Sequence, residues 1–170
     1  MNSRAETLTT TREGVITFVV LLGIAIAAPL FHNQFITGPI VNATLLAAVA
    51  LVGMQGAIFI CLIPSVIALS VGTLPAVLAP MVPFIMIGNV ILVSTFGYLR
   101  NKNYWLGLVS GSVLKFAFLF GTSSIVTNLL LNQQVAAKVA AMMSWPQLVT
   151  ALAGGLLAYG FLRSTKRFST

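Results

Sequence analysis

Apolar residues fill the chain in six long runs separated by short polar breaks. The pattern predicts helices at about 15–31, 39–53, 57–71, 76–99, 104–131 and 145–162. Runs of this length suit segments that cross ~30 Å of hydrocarbon. The second and third are the shortest, and Pro64 interrupts the third. The fourth carries Pro80 and Pro83 in its first turns. The first two runs are joined by His32-Asn33-Gln34-Phe35-Ile36-Thr37-Gly38-Pro39, a connection rich in hydrogen-bonding groups. Between the fifth and sixth runs, Val135, Val139, Met142 and Met143 recur at helical spacing after a polar start. A short amphipathic helix over 133–144, lying on the outer face, and an ordinary surface loop both fit that pattern. There is no internal repeat, low-complexity segment or linker, so residues 1–170 form one domain. The expected fold is an all-α integral membrane protein, a compact bundle of six transmembrane helices.

Composition supports the membrane and adds an orientation. The chain is 58% hydrophobic and 6% charged, with a mean hydropathy of +1.03. A water-soluble domain of this length needs far more charge on its surface than nine basic and two acidic residues supply. The basic residues form no patch interleaved with aromatics, which argues against a nucleic-acid partner and leaves membrane lipid as the surroundings. Arg4, Arg12, Arg100, Lys102, Arg163, Lys166 and Arg167 all lie in tails or short connections. With six spans these fall on one side, leaving His32 and Lys138 on the other. Basic connections mark the cytoplasmic face, so both termini are expected there. Five or seven spans would put the two basic tails on opposite faces. Ala25-Ile-Ala27 has the look of a signal-peptide cleavage site. Glu6 and Glu13 dilute the basic region before it, so a retained first helix is expected, with cleavage as the alternative.

The strongest chemical signal is Lys115, in the apolar stretch Ser112-Val-Leu-Lys115-Phe-Ala-Phe-Leu-Phe120. From Gly14 to Leu99 there is no Asp, Glu, Lys or Arg at all. A lysine near the middle of a bilayer costs ~2.5–3.5 kcal/mol on insertion scales, so such a residue is a functional candidate. Helical rise puts it about 16 Å from the cytoplasmic edge and Asn89 about 20 Å from the outer edge, so the two can meet. Ser112, Thr122 and Ser123 share roughly its face of the helix. Asn42 lies in the outer third of the second helix and Gln147 near the outer start of the sixth. No acid is available inside the membrane to pair with Lys115. Its partners must be amides, hydroxyls, carbonyls, water or an anionic ligand. A purely structural lysine that snorkels or bonds to helix carbonyls is the alternative. Asn42 and Asn89 equally suit interhelical hydrogen bonds, His32, Asn33 and Gln34 interfacial solvation, and Trp145 an aromatic anchor. Cys61, the lone cysteine, reads as a small core hydrophobe. With one cysteine and one histidine, a thiolate or imidazole metal site is not expected. There is no phosphate-binding glycine loop with its lysine, no paired carboxylates and no His-Glu-x-x-His. An enzyme is not expected, and neither is a cofactor.

Small residues give a further signal. Gly23 with Ala27, Ala151 with Gly155, and Gly154 with Ala158 form small-x-x-x-small faces, suited to packing within the chain or docking onto another membrane subunit. Six helices, cytoplasmic termini, the stretch Gly23-Ile-Ala25-Ile-Ala27-Ala28 and the polar connection after it together resemble one family. They resemble the substrate-binding S component of an energy-coupling factor (ECF) micronutrient transporter. The proline-rich Leu74–Asn89 segment is similar to the fourth helix of some members. The resemblance covers most of the chain and is architectural. It implies a subunit of a bacterial or archaeal cell membrane that binds a vitamin or other micronutrient near the outer face. It implies that His32, Asn33 and Gln34 belong to a lid, with Asn42, Asn89, Lys115, Trp145 and Gln147 in the pocket. It also implies that Gly23 and Ala27 dock on a membrane coupling subunit that works with ATPase subunits. Two other classes fit the same outline: a structural or assembly protein of the cell-shape type, and a channel or secondary transporter acting alone.

Overall fold

The computed structural model describes residues 12–130 and 133–165. Every regular element in it is helical. The α-helices are α1 (Arg12–Ala27), α2 (Gln34–Leu51), α3 (Met54–Ser70), α4 (Val82–Leu99), α5 (Tyr104–Leu130), α6 (Gln133–Met142) and α7 (Trp145–Ser164). Short 3-10 segments, Ala28–Phe31 and Ala76–Met81, extend α1 and precede α4. Five helical stretches are long and apolar enough to cross a membrane, and α3, with 17 residues, is a shorter apolar helix. The surface agrees with a multi-pass membrane protein. Large apolar side chains such as Val19, Phe120 and Leu156 are more than half exposed, where a soluble protein carries charge.

Prolines and caps explain where the helices depart from the hydrophobic runs. The polar connection expected over 32–39 is mostly helix, and only His32 and Asn33 lie outside it. Asn33 caps α2 by accepting a hydrogen bond from the Phe35 N–H at 2.9 Å. Pro39 is therefore inside α2 rather than at its start, which corrects the expected second helix of 39–53. Pro29 removes a backbone donor at the end of the first run, and the chain tightens there into a 3-10 turn. His32 closes that turn in the left-handed region, φ 51°, and its Nδ1–H donates to the Leu30 carbonyl at 2.7 Å. The fourth run is not one α-helix. Pro80 and Pro83 divide it, with 3-10 geometry before Val82. Gly53, at φ 95°, makes the two-residue turn between α2 and α3, a conformation that a side chain would strain. The expected fifth helix reached Leu131, which lies outside the described residues.

The helices run up and down, which gathers the connections at two ends. Glu13, Leu51, Phe161 and Thr165 line one hollow, so the start of α1 and the ends of α2 and α7 share an end. Arg100 and Lys102 lie in the turn from α4 to α5 at the same end, where Gly97 packs on Met54. Tyr104 donates its hydroxyl to the Gly155 carbonyl at 2.6 Å and meets the rings of Phe96 and Tyr159 with centroids 5.1 Å apart. The core comes in two apolar clusters. One, toward the basic end, includes Leu46, Val49, Ile60, Leu92, Phe96 and Leu108. The other joins Leu78, Met81, Leu119 and Val126 to Val139 and Met143 at the far end. The pattern over 133–144 is thus a helix, packed by Val139 across that end of the bundle. Lys115, Asn42 and Asn89 occupy the levels between the clusters in their helices.

Candidate functional site

Three helices bring their polar residues to one point. Asn42 of α2, Asn89 of α4 and Lys115 of α5 are 2%, 5% and 3% exposed. The Lys115 ammonium donates to Asn42 Oδ1 at 2.6 Å and to Asn89 Oδ1 at 2.8 Å. An ammonium has only donors, so both amides must present their oxygens to it and turn their NH2 groups away. The arrangement solvates the charge without neutralising it. Among the described residues the one acid is Glu13, in the hollow at the opposite end. Close approach of α2 and α7 fixes Asn42: a Cβ on Gly154 would lie 2.6 Å from Asn42 Cβ.

Above this triad a cavity of about 240 Å³ runs to the end of the bundle away from Arg12, Arg100, Lys102 and Arg163. Asn42, Asn89 and Lys115 make its floor. Val41, Pro64, Ala68, Leu74, Leu78 and Ile85 supply apolar wall. His32, Asn33, Gln34, Thr73, Met142 and Gln147 stand where the helices end. There the Met142 carbonyl accepts two hydrogen bonds, from Gln34 Nε2 at 2.8 Å and Gln147 Nε2 at 3.1 Å. This clasp ties the end of α6 to the starts of α2 and α7 across the mouth. Two neutral hydrogen bonds contribute roughly 1 kcal/mol each. The double variant Gln34→Ala, Gln147→Ala is therefore expected to speed amide exchange in 136–143 by roughly 30-fold, with little change in global melting. Hydrogen exchange read by mass spectrometry checks this, and unchanged exchange there would refute the clasp.

Seven of the ten binding residues expected from sequence line this cavity: Lys115, Asn89, Asn42, His32, Asn33, Gln34 and Gln147. Trp145, Ser112 and Thr122 do not. Trp145 is the first residue of α7, 60% exposed, with its ring tilted against Phe35 at 5.8 Å. Its place fits an aromatic anchor at an interface. Ser112 is fully buried one turn from Lys115, and its hydroxyl has no hydrogen-bond partner among the described residues. Thr122 donates back to the Phe118 carbonyl at 2.7 Å, within its own helix. The sequence reading missed Thr73, Met142 and Met143 as lining residues. Helical spacing had marked the two methionines, but as one face of a surface segment.

The small-residue faces divide in two. Ala151, Gly154, Gly155 and Ala158 are buried inside the bundle against α2 and α5. Gly23 and Ala27 face outward, and a Cβ added to Gly23 would meet nothing within 4 Å. No protein-family model, curated protein or solved structure matches the chain.

Proposed function

We propose that this chain is the substrate-binding S component of an ECF-type importer, taking up a vitamin or other small micronutrient across a bacterial or archaeal cell membrane. One observation carries the reading: an internal cavity that starts at the end of the bundle away from the basic residues and stops on a buried lysine. If basic connections face the cytoplasm, that mouth faces outward. In this reading α3 is a sixth span, about 25 Å long, which a short tilt-free helix covers with modest thinning of the bilayer. Both termini are then cytoplasmic. His32, Asn33 and the α6 clasp cover the mouth. A floor at mid-depth closes the path to the other side, as suits a subunit that binds and relies on partners to move its ligand.

The partner surface is the outward face of α1 around Gly23 and Ala27. A coupling subunit docked there, with its ATPases, supplies the energy. Because Gly23 has open space around it, Gly23→Leu is expected to leave the melting temperature of the isolated chain unchanged while reducing recovery of the coupling complex by at least tenfold. Co-purification from membranes, quantified against the wild-type chain, is the measurement. The reading as a whole is tested by placing the isolated chain in liposomes. It should bind ligand but transport none until a coupling module is added. Transport by the chain alone would overturn the proposal in favour of a channel or secondary transporter. An unaltered phenotype and complex formation for Lys115→Met would favour a structural role.

A further inference from the structure

Resting on the reading of the cavity as a ligand site, we infer that its occupant is a compact, non-aromatic carboxylate, seated with the carboxylate on Lys115 and carrying a hydroxyl or N–H group at its far end. The floor sets the first half. Lys115 holds its ammonium between two neutral amide oxygens, at 2.6 and 2.8 Å. A charged lysine has a third N–H to give. With both amide oxygens turned inward, the Asn42 and Asn89 NH2 groups are donors as well. The floor therefore offers N–H groups and a positive charge that no described acid balances. A carboxylate supplies acceptor oxygens and the missing charge at once, through charge-assisted bonds about twice as strong as neutral ones. A cation at this floor would face like charge in a medium of low dielectric.

The walls and mouth set the second half. None of the described lining residues is Phe, Tyr or Trp, and the one aromatic ring, His32, stands at the mouth, so a flat ring has no stacking platform along the walls. The wall is mostly aliphatic, with Thr37 and Ser65 as its hydroxyl residues. An apolar cavity of about 150 Å³ takes a benzene ring; at about 240 Å³ this one takes a short chain or alicycle with its polar ends. At the mouth Gln34 and Gln147 each give one N–H of their NH2 groups to the Met142 carbonyl. Their Oε1 atoms accept no hydrogen bond from the described residues, so the mouth presents two amide acceptors beside the second N–H of each glutamine. Donors below and acceptors above, with an apolar length between them, describe a ligand that is an acid at one end and a donor at the other.

The test uses the full chain in nanodiscs with four probes of matched length: 6-hydroxyhexanoate, hexanoate, 6-hydroxyhexanamide and 6-aminohexan-1-ol. Calorimetry should give 6-hydroxyhexanoate at least tenfold tighter binding than the amide or the amine, with hexanoate between. Lys115→Gln, which keeps a polar floor without charge, should erase the preference for carboxylate over amide. Mass spectrometry of ligand released from the purified chain supplies an independent readout and should recover a carboxylate. Preference for the amide or amine, a preference that survives Lys115→Gln, or recovery of a cationic or aromatic ligand would overturn the inference. A non-carboxylate ligand with an intact coupling complex would sink this inference and spare the importer reading. Carboxylate binding by a chain that recruits no coupling subunit would do the reverse.

Discussion

Lys115→Met should lower affinity for a ligand carboxylate about a hundredfold and leave the fold almost as stable as before, while Asn89→Leu should do more damage to stability. The difference follows from which charge is left behind. Removing the ammonium takes away a group that costs ~2.5–3.5 kcal/mol in the membrane interior. It also orphans two amide oxygens, at roughly 1–3 kcal/mol each when buried. The two effects are of similar size and opposite sign, and the freed amides can turn toward the cavity or toward each other. Asn89→Leu, by contrast, keeps the charge and removes one of its two acceptors. The ammonium then holds only Asn42 Oδ1, and the lost charged hydrogen bond costs roughly 1.5–3 kcal/mol with nothing gained in return. For binding the order reverses. Breaking a buried pair by removing one charge costs roughly 3–5 kcal/mol, which is a hundredfold or more in affinity. Asn89→Leu keeps the charge that draws the ligand and should lose less affinity. Thermal melts and calorimetric titrations of both variants check the two orders. Equal binding losses, or a Lys115→Met chain that fails to fold while Asn89→Leu is normal, would show that Lys115 is a structural residue.

The same residues show how far the sequence could be read. Lys115, Asn89 and Asn42 stood out because they are polar in apolar runs, and helical rise alone brings Asn89 and Lys115 to similar depth. Rotation about each helix is not legible in that way. Ser112 and Thr122 lie on roughly the same side of α5 as Lys115, yet one packs into the protein interior and the other bonds back to its own helix. Which polar residues open on the cavity depends on side-chain packing between helices, and no periodicity encodes that. The ends of helices were the second blind spot. The hydrophobic run predicts a second helix from Pro39, but the Asn33 cap starts α2 five residues earlier, and Gly38 serves the close approach of Thr150. Likewise Val139 and Met142 gave the period of α6 correctly without revealing what that face covers. It covers the cluster at the mouth. The small residues of α7 left two uses open, packing and docking, and their burial decides for packing.

That packing makes Gly154 the residue whose substitution should unfold the site from a distance. A Cβ there would lie 2.6 Å from Asn42 Cβ and 2.8 Å from both the Ala43 nitrogen and the Pro39 carbonyl oxygen. Two of these three neighbours are backbone, so no rotamer change can clear the space and α2 must move away from α7. Ala is the better helix former by about 1 kcal/mol, but overpacking of this kind costs roughly 1–3 kcal/mol and at times more. The steric term wins. Gly154→Ala is expected to lower the melting temperature in detergent by roughly 3–8 °C. It should also weaken ligand binding, because the displaced helix carries Asn42 and with it an oxygen bonded to Lys115. Gly155→Ala is the informative neighbour. The nearest atoms to its new methyl all belong to the Leu108 side chain, not to backbone, so a shift of that side chain can relieve the contact. It should cost less stability and little affinity, since Leu108 lies in the apolar cluster toward the basic end. Gly23→Ala, in open space, should be neutral or slightly stabilising. Circular dichroism melts of the three variants give the ranking. A Gly154→Ala chain as stable as Gly23→Ala would mean that α2 and α7 do not cross as closely as their backbones here require, and the Asn42–Lys115 bond would lose its geometric basis.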